Sequence, residues 1–259
     1  MGNNQQRIPQ FESLHILRQS MLGDVRDRAF AGLPLLYQDY SDGIISGCRM
    51  MTTKETITVQ PGLIKQAGFI YYLREPMTVA YQPTDEYMIL KLVFASPIDQ
   101  RGTLVYPLEA ALTNNLTLSN NEMELCRFKL KRGSILRVDY TDFFDRTTEF
   151  DTVHTIYVPY AAIGQSTLSP DITKAFAKEA AKFALTDLDR QFCMSALNGQ
   201  PLSVDSIGFY ISQRLEQAEQ EWDNESLFAG LTRVLAEIRP AGLRECRRER
   251  RRRREVFVD

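Results

Sequence analysis

Alternation of apolar and polar residues marks much of the first part of the chain, and a helical repeat marks the last third. Ile57 and Val59 fall on one face of an extended segment while Thr56 and Thr58 fall on the other, the period-two signature of a strand. Met77, Val79 and Tyr81 repeat that alternation. Residues 87–94 are apolar on both faces except at Lys91, as a central, doubly covered strand requires. Further strands are predicted over 104–113, 124–130 and 135–140, with Cys126, Phe128 and Leu130 inward and Arg127 and Lys129 outward. Turn clusters at 82–85 and 119–121 separate these runs. Pro61-Gly62 has the composition of a type II turn and predicts a chain reversal over 60–63. Gly68, ahead of the aromatic run 69–73, predicts a bulge or a close backbone approach.

Past Asp151 the period changes. Ser169 followed by Pro170 is an N-cap signature, and Ile172, Phe176, Ala180 and Phe183 then share one helix face. A second helix is predicted over 187–197, ending at Asn198-Gly199. A third carries Ile207, Tyr210, Ile211 and Leu215, and a fourth, capped by Asn224, carries Phe228, Leu231, Leu235 and Ile238 before Pro240. Near the start, Phe11, Leu14, Leu17 and Met21 predict a short helix ending before Gly23; residues 27–40, broken by Gly32 and Pro34, read as extended or turning. The predicted class is α+β: an antiparallel β-sandwich or barrel-like module followed by a small C-terminal helical unit. The predicted division is an N-terminal arm at 1–38, the β module at 39–160, the helical unit at 169–239 and a basic, disordered tail at 240–259.

Charge sharpens that last boundary. Residues 243–259 carry a net +4 within a chain of net −2, leaving a mildly acidic body of −6. Arg247, Arg248, Arg250, Arg251, Arg252, Arg253 and Arg254 make this tail a candidate arm for an acidic protein partner; nucleic acid is not expected, because no aromatics are interleaved. Cys48, Cys126, Cys193 and Cys246 show no CxxC spacing and read as free thiols. His15 and His154 are far apart with no cysteine nearby, so no metal site is expected, and no cofactor fingerprint occurs. No membrane span or secretory leader is expected from the sequence.

Two chemical readings compete with a purely structural one. Asp142, Asp145, Glu149 and Asp151 form an acidic run that could supply the paired carboxylates of a glycosidase. Phe69, Tyr71, Tyr72, Tyr81, Tyr87, Phe143 and Phe144 could form a sugar-stacking platform. Alternation places most of these aromatics inside and the acids in a connection where solvated carboxylates are ordinary, so no catalytic residue is assigned. His154 reads as a hydrogen-bonded structural residue.

The segments DGIISG, ITVQPGLIKQAGFIYYL, YQPTDEYMILKLVF and NNEMELCRFKLKRGSILR resemble a module of phage tail-fibre and baseplate-associated proteins, including those of prophages and contractile tail-like particles. The resemblance implies a non-enzymatic structural component of such a particle, a baseplate or tail-fibre adaptor, assembled in the bacterial cytoplasm. Its implied partners are other tail or baseplate proteins and further copies of itself. It also implies an assembly interface around Asp42, Gly43, Gly47, Pro61, Gly62, Gly68, Tyr71 and Tyr72. A receptor-binding fibre would continue into long repeats, whereas this chain turns to short helices, which favours the adaptor. The alternatives are a glycan-binding tail protein and a glycosidase.

Overall fold

The computed structural model describes residues 8–11, 13, 16–218 and 220–239. Helix α1 (Gln19–Leu36) leads into three strands that each bend from one sheet into another. β1 (Gly43–Gly47) continues as β2 (Met50–Thr52), β3 (Thr56–Val59) as β4 (Gly62–Gln66), and β5 (Phe69–Leu73) as β6 (Met77–Ala80). The pairing is antiparallel throughout, with β4 between β1 and β5 and β3 between β2 and β6.

The bend explains two glycines and corrects one prediction. Gly47 lies opposite Gly62, and the register continues to Met50 opposite Val59, so the chain passes Pro61-Gly62 without reversing. At this corner Cys48 N donates to the Pro61 carbonyl at 3.1 Å and Gln60 N to the Arg49 carbonyl at 2.8 Å. A Cβ on Gly62 would stand 2.5 Å from Cys48 Sγ and 2.6 Å from the Ser46 carbonyl, so only glycine lets the two strands fold over together. The reversals fall elsewhere. Thr53 Oγ1 accepts from Glu55 N and Thr56 N at one, and Ala67 and Gly68, with φ of 50° and 77°, form a two-residue type I′ turn at the other. Gly68 therefore serves a positive φ, with no atom close by, in place of the predicted bulge or close approach.

A second sheet covers this meander. β7 (Tyr87–Phe94) leads through the small hairpin of β8 (Ile98–Gln100) and β9 (Thr103–Val105) to β10 (Leu108–Thr113), and β11 (Glu122–Lys129) lies on the other side of β7. Lys91 is buried in the central strand, where its ammonium donates to the Thr117 carbonyl and to Glu122. An irregularity between Glu124 and Cys126 turns both Leu125 and Cys126 into the interior. Ile44, Ile57, Val59 and Ile64 of the first layer pack in one core with Leu90, Leu92, Met123 and Phe128 of the second. Residues 136–163 strap the two together: His154 exchanges backbone hydrogen bonds with Arg127 beside β11, and Ile44 exchanges them with Pro159 and Ala161 beside β1. Gly43 is glycine because a Cβ there would lie 2.7 Å from Ala161 N.

α2 (Pro170–Ala180), α3 (Asp187–Leu197), α4 (Val204–Arg214) and α5 (Asn224–Ile238) build a second core. Their caps follow the sequence: Ser169 caps α2, and Thr186 with Asp189 closes a capping box on α3. The cap of α5 is Asp223, one residue ahead of the predicted Asn224. Asn224 instead donates to the Val158 carbonyl at 3.0 Å and ties the helices to the strap. Gly208 makes room for the Trp222 ring and Gly230 for Ile211, which lets these elements approach closely. Phe143 and Ile156 of the strap, and Leu168 just ahead of α2, enter this core. The architecture is α+β, with antiparallel layers followed by C-terminal helices.

Helix α1 departs from the sequence reading. It covers 19–36, running through Gly23 and Gly32 and closing only after Pro34, where an extended segment was predicted. Pro34 lacks the N–H that would bond the Phe30 carbonyl, and the helix ends two residues later. The predicted helix over 11–21 falls partly outside the described residues, as do His15, Cys246 and the whole arginine arm.

Candidate functional site

α1 is the feature that most needs a partner. None of its 18 residues is buried, and Leu22, Val25, Phe30, Leu33, Leu35 and Leu36 are exposed, Phe30 to 70%. Arg18 at its N-cap gives no side-chain hydrogen bond and its first turn holds no acid. Yet its exit is fixed. Lys65, 8% exposed on β4, donates from its ammonium to the carbonyls of Tyr37 at 2.7 Å, Gln38 at 3.2 Å and Tyr40 at 2.5 Å. A cation on the carbonyl end of a helix is the favourable polarity. The structure thus sets α1 against β5, ties the residues that follow it to Lys65 of β4, and leaves its apolar side chains uncovered.

The residues proposed for an interface divide between inside and outside. Asp42 accepts from Ala67 N at 2.8 Å and secures the β4–β5 turn. Gly43, Gly47, Pro61, Gly62 and Gly68 set backbone geometry as described above. Tyr71 packs in an aromatic group with Phe69, Phe94 and Tyr106, Phe69 and Tyr106 stacking at 4.1 Å between ring centroids. Tyr72, on the opposite face of β5, is 63% exposed with Arg74 above its ring at 5.6 Å. Of the eight, Tyr72 offers the large exposed side chain, and it stands on the strand that α1 meets. The exposed β8–β9 hairpin, with Ile98 and Leu104 uncovered, is a second apolar feature that sequence reasoning did not single out.

The acidic run is engaged in holding the strap. Asp142 caps the 3₁₀ turn Phe143–Thr147, accepting from Phe144 N and Asp145 N. Arg137 grips Asp145 with two bonds of 2.7 Å and holds that carboxyl well below the usual carboxylate range. Glu149 pairs with Lys129 at 2.9 Å, and Asp151 accepts from Lys131 N at 3.1 Å. These acids serve as caps and ion pairs. Of the aromatics that could form a sugar-stacking platform, Tyr81 and Phe143 lie in the two cores.

His154 is buried with Nε2 at 2.7 Å from the Thr148 carbonyl, and burial pushes its pKa down. Cys48, Cys126 and Cys193 are free and buried, and burial raises the thiol of Cys48 to about 12 and that of Cys193 to about 11. Among the described residues no cluster of three His, Cys, Asp or Glu is placed to hold a metal, and no helix is long and apolar enough to cross a membrane.

No protein-family model matches the chain, and no curated protein matches it. Two solved chains show a distant similarity to this one. One comes from the type VI secretion system TssK-TssF-TssG baseplate subcomplex, at 8% identity over 90% of this chain and 100% of that one, with a TM-score of 0.39. The other is the crystal structure of TssK, at 10% identity over 89% of this chain and 70% of that one, with a TM-score of 0.38. Likeness at that level assigns no role or partner to any residue here.

Proposed function

We propose that this chain is a non-enzymatic assembly component of a contractile tail-like particle, an adaptor at its baseplate or fibre attachment, docked through α1 and the adjoining face of β5. The observation that carries the reading is the uncovered helix. Burying a Leu or Phe side chain is worth about 1.5–3 kcal/mol, and six large apolar residues of α1 stand in water. A free helix of this length is marginal without a surface to cover it. The resemblance of the segments DGIISG and ITVQPGLIKQAGFIYYL to tail and baseplate proteins supports the choice of particle. Other baseplate subunits and further copies of this chain are the partners of the proposal, with assembly in the bacterial cytoplasm. Its division at 1–38, 39–160, 169–239 and 240–259 belongs to the same proposal, with docking independent of the arginine arm.

Exposed positions make the test clean. Phe30→Asp with Leu33→Asp, in the full chain, changes side chains that touch no core. Incorporation into purified particles should fall at least tenfold while the unfolding temperature of the free protein stays unchanged. Unchanged incorporation of the doubly substituted chain would overturn the docking role of α1.

A further inference from the structure

A cleft of about 740 Å³ opens between the strap, the β1–β2 corner and one side of α2 along its length. Arg146 lines it. This side chain is only 7% exposed, and among the described residues its hydrogen bond runs from Nη2 to the Asp171 carbonyl at 3.2 Å. Nε is buried with no acceptor, and no carboxylate among the described residues pairs with the guanidinium. Four other shielded cations have a carboxylate, Lys91 with Glu122, Arg127 with Glu124, Arg214 with Asp189 and Arg239 with Glu179, and buried Lys65 has three carbonyls. Arg146 has the single Asp171 carbonyl and the face of Tyr140, 4.1 Å from its centre to the ring centroid. Asp145 and Asp171 act on it from beyond ion-pair distance. A desolvated guanidinium with no carboxylate in contact is unfavourable, and an acceptor in the adjoining cleft would relieve it.

We propose that this cleft binds a small organic monocarboxylate, with the carboxylate on the Arg146 guanidinium and a short apolar body along Ile44, Met50 and Val138. The planar fork of arginine matches two carboxylate oxygens. α2 begins at the same cleft and contributes the positive end of its dipole. Its first-turn amides are already occupied, Asp171 N by Ser169 Oγ at 3.3 Å and Ile172 N by the Ser169 carbonyl at 2.9 Å. Those amides are closed to an anion in the cleft, which leaves the guanidinium as the donor at this end. Asp139, Asp142, Asp171 and Glu179 line the cleft together with Arg49, Lys174, Lys178 and Lys182. Asp171, whose carbonyl accepts from Arg146 and whose charge acts on the guanidinium, opposes a second negative charge beside it, so one charge and an apolar body is the combination this end of the cleft favours.

Titration of the full chain with butyrate, benzoate, butyramide and inorganic phosphate, read by calorimetry and by ¹H–¹⁵N NMR of the arginine Nε groups, tests the proposal. Butyrate and benzoate should bind saturably, displace one another and shift the Arg146 Nε signal. Butyramide and phosphate should bind at least tenfold more weakly. Arg146→Met should reduce butyrate binding at least tenfold, with Arg146→Lys between it and the parent. The amide-against-acid comparison needs no variant, so it decides even if Arg146→Met fails to fold. Equal binding of butyramide, tighter binding of phosphate, no saturable binding, or full binding by a folded Arg146→Met chain would each overturn it. None of these outcomes depends on whether the chain docks into a particle.

Discussion

α1 and α5 are both helices of several turns, and they are held in opposite ways. α5 starts with a capping box between Asp223 and Ser226 and buries Leu227, Phe228, Leu231, Val234 and Leu235. α1 has no side-chain cap, carries Pro34, buries nothing and is held at its C-terminal end by Lys65. The chain's own fold accounts for α5 and leaves α1 without a reason to stay helical in water. That difference teaches where stability and assembly reside: the helical unit closes its own core, while the apolar surface of α1 is free for another molecule.

The largest expected effect widens this contrast. Leu231→Ala empties a fully buried site and should cost about 2–5 kcal/mol in denaturant unfolding of the free chain. Leu35→Ala in α1 should stay within about 0.5 kcal/mol. Similar losses at both positions would show that α1 is covered by its own body.

Asp189 gives the next effect, inside the self-sufficient unit. It is buried, with Oδ1 accepting from Tyr210 and from Arg214 at 2.8 Å each and Oδ2 accepting from Thr186. Burial pushes its carboxyl up, but the hydrogen bonds from Thr186 and Tyr210 and the Arg214 charge outweigh burial and hold it below its usual 3.8. A depressed folded value means stability that is present above the unfolded value and lost as pH falls through the folded one. Asp189→Asn should therefore cost about 3 kcal/mol at neutral pH and remove this group's share of the acid-side loss below pH ~4. An unchanged acid slope in a urea-unfolding series would contradict the assignment.

A smaller effect belongs to the β corner. Gly62→Ala drives a methyl into Cys48 Sγ and the Ser46 carbonyl and should cost about 1–3 kcal/mol by thermal unfolding. A neutral result would mean that the bend relaxes without strain.

The contrast also explains what could be read from the chain. The C-terminal helices were legible because each carries a cap and an apolar face, as at Ser169 and at Phe228, Leu231 and Leu235. Several strands were legible from alternation, including the burial of Cys126, Phe128 and Leu130, but the segment read as a strand over 135–140 pairs only through a bridge between Arg137 and Thr152, and the run over 104–113 is divided into β9 and β10. The corner was not, since Pro61-Gly62 has the composition of a turn and only its pairing with Gly47 makes it a bend. α1 was missed because Gly32 and Pro34 look like breakers and no polar face marks a helix lacking a core to face. The interface signal lay in the glycines' sequence, whereas the exposed groups are Tyr72 and the α1 side chains. Arg146 was passed over as one cation among acids, because nothing local shows that Asp145 is taken by Arg137.

Hydrogen exchange of the α1 amides, compared between the free chain and purified particles containing it, tests the docking role most directly. In the free chain, amides over 19–33 should exchange far faster than those of α2 and α5, whose opening is tied to the packed core. In the particle the same α1 amides should become protected while those of α5 change little. Protection of α1 equal to that of α5 in the free chain, or no added protection of α1 in the particle, would contradict it.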